Sequence, residues 1–362
     1  MELPFKADQV GSFLRSEKLK VARQQYADQQ IRKEQLTAVE DQEIIALIQK
    51  QVENGMHAVT DGEFRRSWWH FDFLGDLDGM ELYSKSQGLD FHKMETRKEG
   101  VKVVGKIKFG EHPFLQHFAF LKAHTPEGFV PKQTIPSPNM LHARADFDDT
   151  IYANIDELIE DLIVAYQDGI QAFYDLGCRY LQLDDTSWAS LFSDEGREKL
   201  VAQGIDPQVF LERLVYVLNA SIAKKPADMC ITMHICRGNY KSNYFSSGGY
   251  DFAGEAIFSR LNVDGLFLEF DDERSGSFEP LQFVNRPDLK VVLGLVTSKF
   301  AALESKEDIA ARIAQAEKYV PKAQLCLSPQ CGFSSTEEGN IITEDEQWAK
   351  IRYVVELAKE LL

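Results

Sequence analysis

Long apolar runs, cysteine and basic charge are all in short supply in this 362-residue chain. No stretch approaches the ~18 consecutive apolar residues of a membrane-spanning helix, so no membrane partner is expected. The five cysteines (Cys178, Cys230, Cys236, Cys326 and Cys331) are too few, and odd in number, for a disulfide scaffold. The opening MELPFKADQVGSF lacks the basic start, apolar stretch and small-residue cleavage site of a signal peptide. A reduced, cytoplasmic protein with buried or metal-bound thiols is expected. Lys+Arg number 40 against 57 Asp+Glu, a formal net charge of −17. Nucleic-acid binders need a basic footprint, so that partner class is disfavoured, whereas a locally basic pocket for a small anion stays open. No Pro- or Ser-rich linker, low-complexity tract or short repeat divides the chain, which predicts one domain over residues 1–362.

What is present is a 44% hydrophobic chain with a regular alternation, enough to bury a large core. Short apolar or β-branched runs at 5–11, 56–62, 133–136, 180–184, 230–236, 265–270, 291–296 and 324–328 read as eight strands. Amphipathic segments at 36–54, 156–176, 206–222, 306–319 and 344–361 read as helices. Ser305 with Asp308, and Thr343 with Glu346, mark two helix starts. Strands alternating with helices predict the α/β class and a (β/α)8 TIM barrel. The barrel carries an insertion after strand two, residues 64–131, whose alternating run VKVVGKIKFG (101–110) suggests a β-hairpin or lid over the barrel mouth. Lys102, Lys106 and Lys108 read as a solvated face of that hairpin.

Reactive side chains in such a barrel sit at the C-terminal strand ends. Strand one ends in Gly11-Ser12, strand two in Asp61-Gly62-Glu63, strand four in Asp184-Asp185, strand five in His234-Ile235-Cys236 and strand six in Glu269, while strand eight runs on to Cys331. Residues two apart on a strand share a face, so His234 and Cys236 can reach one ion. Glu269 lies between Leu268 and Phe270, where an uncompensated carboxylate is expensive to bury. Cys331 can close the site, giving His, two thiolates and a carboxylate around Zn2+. The competing reading is core packing, since free cysteine is commonly buried; Cys178, Cys230 and Cys326 read that way. Gly11-Ser12 is either a turn that caps the following helix or a backbone cradle for an anion. Asp61 and Glu63 read by default as surface charges in a loop, whereas Asp184-Asp185 ends a buried run; carboxylates around a mouth that also holds Ser12 suit an α-amino acid, with the ammonium on the acids and the carboxylate on N–H groups and the Ser12 hydroxyl. Arg65-Arg66 and Trp68-Trp69 read as lid residues or as a stacking surface for a planar ligand. Lys299, just past strand seven, is a solvent lysine or a donor reaching the pocket.

Six landmarks in order, QVGSF (9–13), DGEFRR (61–66), LQLDD (181–185), HIC (234–236), FLEF (267–270) and SPQCGF (328–333), resemble the catalytic C-terminal barrel of cobalamin-independent methionine synthases. The resemblance spans nearly the whole chain and corresponds to the catalytic half of longer synthases. It implies zinc on His234, Cys236, Glu269 and Cys331, and homocysteine held through Gly11, Ser12, Glu63 and Asp184. It further implies methyl transfer from a methyltetrahydrofolate-type donor to the homocysteine thiol, giving methionine. Glu63 and Asp184 are the catalytic candidates, with Lys299 standing where the family has a proton-donating histidine. Around 133–140 (QTIPSPNM) the family's pterin-packing tryptophan is missing, leaving Trp68, Trp69 or Trp188 to substitute. Related zinc barrels alkylate thiols from methylated corrinoids or epoxides. A zinc hydrolase and a non-catalytic homocysteine-binding barrel are the remaining alternatives.

Overall fold

The computed structural model describes residues 2–88, 90–91, 94–146 and 150–362. Along the chain come helices α1 (Glu17–Ala27) and α2 (Lys33–Glu53), strand β1 (Ala58–Val59), the short helix α3 (Phe71–Gly75) and strands β2 (Asp78–Ser84), β3 (Asp90–Phe91), β4 (Met94–Glu95) and β5 (Glu99–Lys108). Then follow α4 (Pro113–His124), β6 (Val130–Pro136), α5 (Asn139–Arg144), α6 (Ile155–Asp175), β7 (Tyr180–Asp185), α7 (Asp194–Ala202), α8 (Pro207–Ile222) and β8 (Cys230–Ile235). The last elements are β9 (Gly265–Glu269), β10 (Lys290–Val296), α9 (Lys306–Ala316), β11 (Leu325–Pro329) and α10 (Glu344–Leu361). Among the described residues no helix is long and apolar enough to cross a membrane.

Seven strands form one parallel sheet in the order β1-β6-β7-β8-β9-β10-β11. The sheet curls, and the N-terminal segment touches both of its edges. Ala7 makes a parallel bridge to Leu327 on β11, while the Gly11 carbonyl accepts from the Thr60 hydroxyl at 2.6 Å and the Phe13 N–H donates to the Gly62 carbonyl. The expected strand at 5–11 is thus reduced to a single bridge. Its donors go elsewhere: the Asp8 carboxylate accepts from the Phe5 and Gln9 N–H groups at 3.2 and 2.8 Å, satisfying locally what a ladder would otherwise satisfy. The strand expected at 56–62 shortens to two residues for a similar reason, because the buried Gln51 side chain exchanges hydrogen bonds with both the N–H and the C=O of Thr60.

Helix ends follow their side chains. Asn154 caps α6 by accepting from the Asp156 and Glu157 N–H groups, both at 3.0 Å, and α6 buries Leu158, Leu162, Tyr166, Ile170 and Phe173. Thr343 and Glu346 form a reciprocal capping box at the start of α10, and Ser305 caps α9 by accepting from Asp308 N–H. Helix α4 breaks the irregular reading of 64–131: His112 caps it and Pro113 occupies its first turn. The run 101–110 forms most of β5, which pairs antiparallel with β2 from Asp78↔Lys108 to Ser84↔Glu99. Val101, Val103 and Ile107 are buried, and Lys102 pairs with Glu81 at the half-exposed face.

The interior of the curled sheet is layered. Val10, Phe267, Val292 and Cys326 form an apolar cluster of their own. Beside it lies a fully buried ion pair, Lys132 Nζ to Asp8 Oδ1 at 3.1 Å; Asp8 Oδ2 also accepts from the Tyr180 hydroxyl at 2.8 Å.

Candidate active site

The site is assembled where β7, β8, β9 and β11 end. Parallel register sets Asp184 beside His234, and His234 beside Phe267. The His234 Nδ1 lies 3.2 Å from the Phe267 carbonyl, which can only accept, so this bond places the ring proton on Nδ1. Nε2 is buried with no hydrogen-bond partner of its own. Cys236 continues β8, and its Sγ lies 3.6 Å from that of Cys331, which the turn after β11 delivers. One ligand atom from each of His234, Cys236 and Cys331 lies within 4.8 Å of the others, and all three residues are buried.

Electrostatics in this cluster favour a thiolate. The Cys236 thiol hydrogen-bonds Cys331 and, against the opposing effect of burial, His234 also draws the Cys331 thiol well below its ordinary range. The same pairing and burial push Cys236 up. Burial alone would lower His234, but Cys331, Asp184 and Glu269 outweigh it and hold the imidazole at about 9.

Glu269 stands at the end of β9 but is not one of these three converging residues. Its Oε1 accepts from the Arg237 N–H at 2.6 Å and its Oε2 pairs with Arg274 at 3.2 Å. Burial raises this carboxyl, and Arg274, Lys299 and Arg237 together overcome that and hold it low. It also faces Cys236, contributing to the rise of that thiol. Lys299 does not reach the cavity. Its ammonium is nearly buried against Asp271, so the proton donor suggested at this position is turned away from the chemistry and acts instead on the charge around Glu269.

A cavity opens onto the cluster, lined by Ser12, Glu63, Asp184, Trp68 and Tyr240 as well as by His234, Cys236 and Cys331. Gly11 has φ +153°, and a Cβ there would stand 2.5 Å from Glu63 Oε1, so only glycine lets the two elements meet. Glu63 itself is held at φ 61°, rare for a non-glycine residue, with its N–H on Asp61 Oδ1 at 2.8 Å. Its carboxylate accepts from the Thr134 hydroxyl at 2.9 Å and pairs with Arg66. Asp184 accepts from Gln182 Nε2 at 2.8 Å, and that amide also donates to the Val10 carbonyl. Burial, reinforced by Glu63 and Cys331, pushes Asp184 up to about 7 against the pull of His234 and Gln182.

Ser12 Oγ accepts from the Ser334 N–H at 3.2 Å, fixing the first strand end against the Cys331 turn. Trp68 and Trp69 line the cavity, while Trp188 is fully buried outside it. Cys178, Cys230 and Cys326 lie outside the cavity, and burial raises each thiol, to about 12 for Cys178 and Cys326, as expected of core cysteines. Thr134, Gln182, Asn239 and Tyr240 were not expected at the site. The first two are polar residues facing into the sheet's interior, a signal visible in the sequence only once the strands are in register; Asn239 and Tyr240 come three and four residues after Cys236 of the HIC motif.

The chain is similar to known proteins over nearly its full length. Residues 5–360 match the family profile "Cobalamin-independent synthase, Catalytic domain". The Bacillus subtilis (strain 168) protein YxjG is 53% identical over 359 residues, covering 99% of this chain and 95% of that one. A methionine synthase of Saccharolobus solfataricus is 22% identical over 327 residues, 89% of this chain and 86% of that one. Among solved structures, a B12-independent methionine synthase from Shewanella sp. W3-18-1 in complex with selenomethionine superposes with TM-score 0.74 at 17% identity, covering 98% and 97% of the two chains. With residues 5–360 of its 362 matched to that profile, the chain belongs to the cobalamin-independent synthase catalytic-domain family.

Proposed function

We infer that this protein is a zinc-dependent methyltransferase that moves a methyl group from a methyltetrahydrofolate-type donor to the thiol of homocysteine, giving methionine. The observation that carries the reading is the convergence of His234, Cys236 and Cys331 at the floor of a cavity whose wall holds Ser12, Glu63 and Asp184.

The donor set fits zinc. Two Zn–S bonds of about 2.3 Å at a tetrahedral angle place the sulfurs about 3.8 Å apart, and the two thiols here are 3.6 Å apart. The buried, unpartnered Nε2 of His234 is the third donor, oriented through Nδ1 by a carbonyl as metal-binding histidines commonly are. Glu269, beside Cys236, is the fourth. When bound, zinc supplies the positive charge that keeps a substrate thiol deprotonated at neutral pH.

The chain's own residues do the rest. Asp184 and Glu63 receive the substrate ammonium, and Ser12 with the backbone after Gly11 receives its carboxylate, which leaves the side-chain sulfur facing the cysteines. Sulfur attacks the donor's methyl carbon in line: an S–C bond forms, the C–N bond breaks, and the leaving nitrogen keeps the electron pair and gains a proton from water at the cavity mouth. The selenomethionine in the Shewanella structure is the selenium counterpart of the proposed product. We read the fold as a single eight-stranded barrel in which residues 5–11, held by the Ala7 bridge to Leu327, stand in the place of the eighth strand and 64–131 serve as a cover, acting in the cytoplasm on small molecules.

The test is methionine formation from homocysteine and triglutamyl methyltetrahydrofolate by the zinc-loaded protein, with a zinc-stripped control. Zinc-dependent product is expected. Homocysteine binding without product from this donor would overturn the donor assignment, and failure to bind homocysteine would overturn the whole reading.

A further inference from the structure

The aromatic part of the cavity wall is built from separate chain segments, and one side chain outside the cavity fastens them together. Trp68 and Tyr240 both line the cavity, with their rings nearly parallel at 7° and their centroids 6.4 Å apart. Trp68 pairs antiparallel with Thr336, and the Glu337 N–H donates to the Ser67 carbonyl at 2.9 Å. Arg97, arriving from the segment between β4 and β5, sits across this junction. Its Nη1 donates to the Ser67 hydroxyl and to Glu337 Oε1, each at 2.8 Å, and its Nη2 donates to the Ser67 carbonyl at 3.3 Å. Its Nε stands 3.2 Å from Glu338 Oε1, the carboxylate oxygen that also accepts from the Tyr240 hydroxyl at 3.3 Å. The guanidinium carbon lies 5.3 Å from the centre of the Trp68 ring, within cation–π range.

A single fork therefore holds the residue before Trp68 and the carboxylate that holds Tyr240. Glu337 keeps a second cation, Arg23 at 2.9 Å, but among the described residues the ion pair of Glu338 is the one with Arg97. Removing Arg97 leaves Glu338 beside Glu337 without its cation and takes away the group that joins Ser67, Glu337 and Glu338, so that the Ser67–Glu337 hydrogen bonds and the Trp68–Thr336 bridge hold the junction without the link to the carboxylate under Tyr240. The planar shape of the arginine fork matters here, since a lysine can supply the charge but not all of these contacts at once.

We propose that Arg97 is a positioning residue for the second substrate: it fixes the Trp68–Tyr240 wall on which a planar methyl donor rests, and through it the β2–β5 hairpin becomes a required part of the site. The proposal rests on the methyltransferase reading for the identity of the donor, but the placement of Trp68 is independent of it. The thiol half of the cavity, with His234, Cys236, Cys331, Ser12 and Asp184, is built without any contact to Arg97.

The test uses full-length, zinc-loaded wild type, Arg97→Ala and Arg97→Lys. In Arg97→Ala, acrylamide quenching of tryptophan fluorescence is expected to rise, and the rise to vanish when Trp68→Phe is added. Calorimetric affinity for homocysteine is expected to stay within about twofold, while kcat/KM for methyltetrahydrofolate falls about tenfold or more, the scale of a lost charge-assisted contact. Arg97→Lys recovers part of both effects. Unchanged quenching overturns the proposal whether or not the wild type turns over, and so does an equal loss of homocysteine affinity and donor kcat/KM. If wild type makes no methionine while quenching still responds through Trp68, the positioning role stands and the donor assignment fails. If Arg97→Ala does not fold, the Arg97→Lys quenching and donor kinetics decide by the same criteria.

Discussion

The thiols of Cys236 and Cys331 lie 3.6 Å apart although 95 residues separate them in the chain. Two buried thiols at that distance cannot both ionise without a cation, and their surroundings pull them apart, drawing Cys331 down and pushing Cys236 up. A zinc ion bound as proposed would resolve the conflict by holding both as thiolates. Replacing Cys331 by Ser is expected to weaken zinc binding by about 100-fold or more, judged by what such ligands contribute to structural and catalytic sites. Zinc retention after dialysis against a chelator, measured by metal analysis, checks this; activity is expected to disappear with the metal.

Gly11 and Glu63 make a second, sharper claim on the geometry. A methyl group at residue 11 would stand 2.5 Å from Glu63 Oε1 and 2.7 Å from the Thr134 methyl, in a backbone conformation that side chains rarely adopt. Gly11→Ala is therefore expected to displace the Glu63 carboxylate and raise KM for the amino-acid substrate about tenfold or more, at a stability cost of about 1–3 kcal/mol. Zinc content should not change, since no ligand touches residue 11. Steady-state kinetics beside metal analysis separates the two effects.

Asp184 sets a pH dependence. Its carboxyl is raised from an ordinary value near 3.8 to about 7 by burial, so the fold favours the protonated form. The sign follows: Asp184 contributes its full stabilisation below about pH 4 and loses it as pH rises toward 7. Ammonium binding needs the opposite, ionised form. Homocysteine affinity is thus expected to climb with pH up to about 7 and then level, while thermal stability falls over the same interval. Asp184→Asn should flatten both profiles, raising the melting temperature above pH 7 by about 2–4 °C and cutting kcat/KM by about 100-fold. Melting curves and substrate titrations at pH 5 to 8 decide it.

How much of this was legible beforehand depended on contrast. His234, Cys236 and Glu269 stand out because β8 and β9 are otherwise continuous apolar runs, as parallel strands buried on both faces must be. Helix α10 begins where Thr343 and Glu346 say it should, since a reciprocal cap is a local device. Contacts made by long-range pairing leave no such local trace. Nothing in LVTSKF shows that Lys299 turns to Asp271, a partner 28 residues earlier on a neighbouring loop. Arg97 and Glu337 are 240 residues apart and each looks like an ordinary solvated charge. The strand read at 5–11 fails for a reason the pattern conceals, namely that Asp8 takes the backbone donors for itself.

That same Asp8 anchors the floor of the interior. Its carboxylate meets Lys132 at 3.1 Å with both side chains wholly shielded from solvent, and the Lys132 ammonium also donates to the Gln9 carbonyl at 2.5 Å and lies 4.1 Å from the Phe267 ring centre. Burial lowers the Lys132 ammonium, with Asp8 opposing. A charge so placed is tolerated because its partner is in place; desolvation of the survivor is what a single replacement exposes. Asp8→Asn is expected to destabilise the protein by about 3–5 kcal/mol, and Lys132→Met by a similar amount. The double variant should cost less than the sum of the two singles, because neither charge is then left alone. Denaturant unfolding of the four proteins at fixed zinc closes the cycle, and strict additivity would show that the pair is not coupled as the geometry requires.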